Sequence, residues 1–482
     1  MYFNSIDFAI FLPIVFILYW FVFRKLRFQN VLLILSSYLF YGWWDWRFLF
    51  LLFFSTLLDY CSGIKIYNAH SKKFKKVWLW TSVTINLGFL AFFKYYNFFI
   101  DSLIDTGINI QPSSLQLILP VGISFYTFHG LSYVIDIYYN RIKPEYNFVT
   151  YALFVSFFPL LVAGPIERAT HLLPQLKHER QFNYLQSVDG LRQILWGLFK
   201  KIVIADNCAT YANLIFNNSE QYSGSTLLLG AIFFAFQIYG DFSGYSDIAL
   251  GTARLFGVEL LQNFAFPYFS RDIGEFWRRW HISLSSWFKD YVYIPLGGSN
   301  GGTWLKIRNV FVIFLLSGFW HGANWTFIVW GALNAFYYLP LLLRNKNRVN
   351  LNVVAEGKIL PSLSELFSMA GTFGLTVLAW IFFRSESVSG AIDYIIRLVS
   401  GFTDLNTFRE SYDFMLTHAR RGVLLILLLF FVIEWLGRSD TYAIKSLGLT
   451  WPRRTRWAFY YCIIATVILY SGQKHGFIYF QF

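Results

Sequence analysis

Trp320, His321 and Gly322 stand in the middle of 35 residues, Asn309 to Leu343, that include no Asp, Glu, Lys or Arg. An ionisable side chain in so apolar a run is costly, and in membranes such groups mark functional sites. Histidine changes charge near neutral pH, which suits it to take a proton from a hydroxyl. Ser317 and Asn324, at i−4 and i+3 from His321, share its face if the run is helical. The chemistry this allows is acyl transfer. His321 acts as general base on a hydroxyl attacking a thioester carbonyl, and an amide such as Asn324 orients the ring or donates to the oxyanion. The alternative is a hydrogen-bonded histidine that only packs. A second histidine, His281, closes a stretch containing Glu275, Arg278, Arg279 and Trp280. It is either the polar edge of an interfacial anchor or a second imidazole reaching the same cavity, sharing the work of base and donor alignment.

Other polar groups offer less. Asp241 and Asp247, in the run YGDFSGYSD from Tyr239 to Asp247, read as buried acids. They either relay protons or bond to neighbouring groups and hold helices together, the commoner role. His129, within an apolar run, reads as a satisfied packing residue. Gly297, Gly298, Gly301 and Gly302 lack the Walker spacing of a phosphate cradle and read as a flexible loop. Cys61, Cys208 and Cys462 lie too far apart for a metal motif or a disulfide framework and are expected as free, mostly buried thiols. No zinc-ligand cluster is present in the sequence.

The elements that position these groups follow from apolar length. As one straight helix the run from Asn309 to Leu343 would span about 52 Å, against a hydrocarbon core of ~30 Å. It must break or double back, with Ser317–Gly318 and Gly322 as the places to do so. Lys306 and Arg308 precede it and Arg344, Lys346 and Arg348 follow it, which favours a bent pair of half-helices. His321 is then expected near the bilayer midplane, and His281 nearer the cytosolic side. The 482 residues are 56% hydrophobic, 22% aromatic and only 14% charged, which excludes an ordinary soluble domain. Period-2 alternation in ten-residue blocks is missing, which argues against an outer-membrane barrel. The expected fold is all-α: a polytopic membrane protein of about nine to twelve spans, with re-entrant and interfacial helices, in one domain over residues 1–482.

Charge sets the orientation. Asp7 precedes the first apolar stretch and Arg24, Lys25 and Arg27 follow it, the order of an uncleaved first span. Basic loops at Arg24–Arg27, Lys65–Lys76 and Arg141–Lys143 alternate with Trp43–Trp46 and Asp101–Ser114. Phe148–Val162 reads as a re-entrant hairpin and Arg271–Asp290 as an amphipathic interfacial helix. Further spans are expected near Gly371–Phe383, Val423–Leu436 and Ala458–Tyr470, with a polar segment from Arg384 to Arg421. The net charge of +13 is part positive-inside bias and part a basic cytosolic mouth for a polyanionic donor. Nucleic-acid binding is excluded, since the basic residues are scattered among membrane loops.

The blocks RRWHISLSSWFKDYVYIPLGGS and SGFWHGANWTFIVWG, with 40 residues between His281 and His321, resemble the membrane-bound O-acyltransferase family. GISFYTFHGLSYVIDIYY, AGPIER and YGDFSGYSDIALG resemble further blocks of its bacterial branch that acetylates polysaccharides, the alginate O-acetyltransferase type most closely. The resemblance covers nearly the whole chain. It implies a multi-helical membrane fold around a central tunnel, with His321 as the catalytic histidine and His281 as the second one. Trp320, Ser317, Asn324, Arg278 and Arg279 are then expected around the substrates. At Asn300, Gly301 and Gly302 the chain departs from relatives that carry basic residues, leaving Lys306 and Arg308 as substitutes.

On this resemblance the expected activity is O-acetyl transfer from a cytosolic thioester towards hydroxyls of an extracytoplasmic polysaccharide. Acetyl-CoA is the expected donor, no cofactor is bound, and no metal is required. The expected partners are a periplasmic acetyltransferase or acceptor protein, the polysaccharide and membrane lipids, with the bacterial inner membrane as the location. Two rivals stand beside it: D-alanyl transfer to teichoic acid from a carrier protein, and a proton-coupled transporter that uses Asp241 and Asp247. A structural subunit without chemistry leaves the intramembrane histidines unexplained.

Overall fold

The computed structural model describes residues 1–482 except 109–114, 116, 163, 223, 402–405, 419–421, 473–475 and 479–482. Among the described residues the regular structure is helical, with no strand. A chain this apolar closes its backbone hydrogen bonds within each helix. Six helices are long and apolar enough to cross a membrane, and the shorter apolar segments Ile6–Val22 and Val423–Leu436 add to them. Among the described residues this makes six long spans and two shorter apolar segments of the polytopic membrane fold, beside the nine to twelve spans expected. The polar stretches expected at Asp101–Ser114 and Arg384–Arg421 fall partly outside the described residues.

The chain divides into two compact units. The first comprises Met1–Ile194 and Ile248–Leu261. Its helices are α1 (Ile6–Ile17), α2 (Leu26–Asp45), α3 (Phe48–Asn68), α4 (Lys72–Leu90), α5 (Tyr96–Asp105), α6 (Ile123–Tyr138), α7 (Phe148–Ser156), α8 (Phe158–Leu161), α9 (Ala169–Lys177) and most of α10 (Tyr184–Leu198). Asp59 of α3 ties its neighbours together. It accepts from Ser82 Oγ (2.6 Å) and Asn86 Nδ2 (2.8 Å) of α4, and Gly130 of α6 lies so close that a Cβ there would sit 1.9 Å from its Oδ2. The expected re-entrant segment is α7 and α8, broken at Phe157 and buried around the break. Ser37 Oγ takes up the Phe158 N–H freed there (3.0 Å), as irregular backbone inside an apolar unit requires. His129 is buried and half satisfied: its Nε2 accepts from Glu167 N (2.9 Å), while its Nδ1 has no hydrogen-bond partner among the described residues.

The second unit comprises Leu195–Asp247 and Gln262–Phe482. After the end of α10 it holds a π-helical turn, Phe199–Ala205, then α11 (Asp206–Asn217) and most of α12 (Gly224–Leu255), whose residues from Ile248 on belong to the first unit. Next come α13 (Ile273–Arg279), α14 (Ile282–Phe288), α15 (Thr303–His321), α16 (Trp325–Leu343) and α17 (Leu363–Arg384). The series closes with α18 (Val388–Gly401), α19 (Asn406–His418), α20 (Val423–Leu436) and α21 (Arg453–Leu469). Two expectations change here. The stretch Arg271–Asp290 is no continuous surface helix: α13 and α14 are seven residues each and part at Trp280 and His281, which are 0% and 1% exposed. The run from Asn309 to Leu343 is no pair of half-helices either. α15 and α16 have 19 residues each, about 28 Å apiece at ~1.5 Å per residue, and turn back on each other at Gly322–Asn324. Gly318 does not break α15; it lets α16 approach. A Cβ on Gly318 would stand 2.2 Å from the Phe327 carbonyl oxygen, and one on Gly331 would stand 2.4 Å from that of Phe314. All three cysteines are free, but only Cys208 is buried; Cys462 is exposed.

Candidate active site

α15 ends at His321 because Gly322 takes extended backbone (φ −161°, ψ 155°) and Asn324 starts the next helix. This leaves the His321 ring at the turn of the hairpin, 3% exposed. Its ring centroid lies 4.9 Å from Trp320, 5.1 Å from Trp330 and 5.3 Å from Phe383. Trp330 in turn stacks on Trp380 of α17 (5.7 Å, 18°).

His281 approaches from the break between α13 and α14. Its backbone is left-handed (φ 44°, ψ 55°), a conformation that costs a residue other than glycine roughly 1–3 kcal/mol and persists only where the surroundings over-determine it. Here Asn263 does so. Its carbonyl accepts from Ile282 N (2.9 Å), its Oδ1 accepts from Ser283 Oγ (2.6 Å) and its Nδ2 donates to Ser246 Oγ (3.0 Å). The imidazole packs against Phe242 (4.6 Å) and Trp320 (5.8 Å). Both of its ring nitrogens are buried with no hydrogen-bond partner among the described residues. A buried polar atom left so costs about 1–3 kcal/mol, which is what a site organised for a substrate tolerates. The two histidine rings are 6.4 Å apart. They are neighbours, as the reading of His281 as a second imidazole beside His321 expects. The last charged residue before His321 on α15, Arg308, lies 13 residues back, roughly 20 Å.

A cavity of about 520 Å³ opens beside this enclosure, lined by Trp277, Arg278, Lys289, Ser317 and Arg348 among others. Its volume is that of a site for a small organic ligand. It reaches Ser317, one helical turn or roughly 6 Å short of His321. Arg278 stands in its wall, with its guanidinium bonded to the carbonyls of Asn347 and Asn350, 2.7 Å each. Lys289 and Arg348 line it too, whereas Lys306 and Arg308, expected as substitutes for missing basic residues, are not among its lining residues.

The structure therefore gathers His321, His281 and Trp320, and places Ser317 and Arg278 at the cavity. Arg279 and Asn324 are occupied elsewhere. Arg279 pairs with buried Glu275 (2.8 Å) and donates to Ala265 O and Asn352 O; Arg271 holds the other carboxylate oxygen of Glu275 (3.0 Å). Asn324 does not share a face with His321, since the helix has already ended. It caps α16 by accepting from Thr326 N (2.9 Å), and its Nδ2 donates to Glu386 O (2.9 Å).

Sequence reasoning missed Lys200 and Lys201. In the π-helical turn, Lys200 meets Asp247 at 2.6 Å, and Lys201 meets both Asp206 (2.8 Å) and Asp241 (2.7 Å). Asp241 also accepts from Ile478 N (2.6 Å). Glu434 is held by Trp196 Nε1 (3.0 Å) and Tyr239 Oη (2.6 Å). The signal was present: two lysines inside the apolar stretch LWGLFKKIVIA are as costly as any intramembrane acid. Their ion pairs bind Asp241 and Asp247 into the interior, which favours the helix-bonding role over a relay.

A sequence model of the membrane-bound O-acyltransferase family matches residues 138–344, a span that holds both histidines. The chain is 36% identical over 501 residues to a probable alginate O-acetylase of Pseudomonas putida, covering 99% of each protein. It is 32% identical to the peptidoglycan O-acetyltransferase of Helicobacter pylori, over 94% of this chain and 92% of that one. A more distant relative, the teichoic acid D-alanyltransferase of Bacillus subtilis, is 29% identical over 46% of this chain and 58% of its own.

Proposed function

The chain belongs to the membrane-bound O-acyltransferase family, a multi-pass membrane acyltransferase, and on that premise we propose that it moves acetyl groups from a cytosolic thioester towards hydroxyls of an extracytoplasmic polysaccharide. The observation that carries this reading is the pairing of His281 and His321 in a buried aromatic enclosure, one helical turn from a cavity with Arg278, Lys289 and Arg348 in its wall. Three cations suit a donor such as acetyl-CoA, whose phosphates need Lys or Arg to offset them. His321 is the general base. It takes the proton of the acceptor hydroxyl as the oxygen attacks the thioester carbonyl; the C–O bond forms, the C–S bond breaks, and the proton passes to the departing thiolate. His281 assists by aligning the donor. A periplasmic acetyltransferase or acceptor protein receives the acetyl group, in the inner membrane of a bacterium.

The alginate and peptidoglycan O-acetylating relatives, aligned nearly end to end, support acetyl over D-alanyl transfer; the D-alanyl relative aligns over less than half of this chain. The test is mass analysis of surface polymers from cells with the wild-type protein, with His321→Ala, and without it. An acetyl-sized mass difference that appears only with the wild type supports the reading. Polymers identical in all three strains would remove it. General-base loss typically costs ~10²- to 10⁴-fold, so His321→Ala should leave product barely detectable at wild-type protein levels.

A further inference from the structure

Neither histidine is among the residues that line the cavity, and a residue that touches both sides carries an inference that rests on the functional reading above. Trp277, on the last turn of α13, lines the cavity with one part of its ring. It also packs edge-on against Phe314 (5.2 Å) and against Trp330 (5.7 Å). Trp330 is the ring that lies 5.1 Å from His321. Trp277, Phe314 and Ser317 thus line the cavity on the side of Trp330 and, through it, of His321. Ser317 and His321 are four residues apart on α15, roughly 6 Å along the helix.

The Trp277 ring is less enclosed than the tryptophans behind it. It is only partly buried, whereas Trp330 and Trp380 are 1% and 2% exposed. Its Nε1 is sealed from solvent, yet has no hydrogen-bond partner among the described residues. An indole N–H is a donor that buried tryptophans usually satisfy. Packing alone therefore holds this ring, and no hydrogen bond is lost when it turns aside. Its neighbour Arg278 is fixed by two carbonyls, so the backbone that carries Trp277 is anchored and motion falls to the side chain.

We propose that Trp277 is the partition between the donor cavity and the histidines, displaced by the acyl end of the thioester, and that its bulk limits the transferred acyl group to a short one. The readout is the ratio of kcat/KM for butyryl-CoA to that for acetyl-CoA, measured on the detergent-solubilised full chain with a soluble hydroxyl acceptor. Trp277→Ala should raise that ratio at least tenfold. Trp277→Phe, which keeps an aromatic wall of smaller size and removes the N–H, should raise it about threefold with acetyl transfer retained. Ile313→Ala enlarges the same cavity one turn further from His321 than Ser317 and should leave the ratio unchanged. If Trp277→Ala does not fold, the Phe variant decides alone. An unchanged ratio in the Trp277 variants, or an equal rise in Ile313→Ala, overturns the assignment while leaving the acetyltransferase reading intact. A wild-type protein that transfers no acyl group from any thioester overturns both.

Discussion

Replacing Lys201 by Met tests whether the buried charges beside α12 hold the fold or do chemistry. Methionine keeps nearly the length and volume of the lysine stem and removes only the ammonium. The side chain it replaces is 1% exposed and stands between Asp206 at 2.8 Å and Asp241 at 2.7 Å. Breaking a buried ion pair by deleting one partner costs about 3–5 kcal/mol, because the remaining charge stays in the interior. Here two carboxylates lose the same partner, so the upper end applies. Ile478 N still serves Asp241, but Asp206 and Asp241 then face each other without a cation between them. Five kcal/mol at ~1.4 per decade is a loss of more than a thousandfold in the folding equilibrium, against a total stability of only ~5–15 kcal/mol. Thermal unfolding in detergent and the yield of folded protein report the effect. The triple variant Lys201→Met, Asp206→Asn, Asp241→Asn removes the orphaned charges and should recover most of the loss. A Lys201→Met protein that melts like the wild type would refute the staple. If that stable protein were also inactive, the acids would be carrying protons and the relay would return.

Three further outcomes are expected. Gly318→Ala places a methyl group 2.2 Å from a backbone carbonyl that cannot yield; α15 and α16 must separate, at a cost of ~1–3 kcal/mol, and an unchanged melting temperature would remove the close-approach argument. Asn324→Ala should cost ~1 kcal/mol through the lost α16 cap and leave the donor KM unchanged; a raised KM at constant stability would return Asn324 to the substrate. His171 lies on α9, outside the candidate membrane spans, and its hydrogen bond to Glu167 raises its pKa above the ordinary 6.5. A raised folded value means the pair stabilises fully below about pH 6.5 and the contribution fades as pH climbs through the folded pKa. With the side chain 36% exposed the effect is small: the wild-type melting temperature should fall slightly from pH 6 to 8, and His171→Gln should lose that slope.

The elements were legible where one residue type decides them. Charge-free length gave the membrane helices, and Gly322 gave the turn of the hairpin that ends at His321. The proximity of His281 to His321 was legible only as one of two readings of His281, because the contact depends on a left-handed residue that no local sequence rule anticipates. Arg271, Arg278 and Arg279 look alike in sequence. Burial of Glu275 removes Arg271 and Arg279 from the cavity and leaves Arg278 to it. Asn324 misled for a related reason: i+3 spacing implies a shared face only if the helix continues, and it stops at His321. The Lys200 and Lys201 pairings needed partners as far as 47 residues away, a separation that periodicity cannot see.

The bond from Ile478 to Asp241 also has a consequence in time. Ribosomes work at about 5–20 residues per second, and 237 residues separate donor from acceptor. For roughly ten to fifty seconds of synthesis, Asp241 is already made while the N–H that will complete its coordination does not yet exist. Lys201, 40 residues upstream, is translated first and can accompany the acid during insertion. The Lys201 pair is thus available to Asp241 from the start of its synthesis, and the Ile478 bond only at the end. The full set of contacts around Asp241 can therefore close only after Ile478 has emerged, well after α12 has been made.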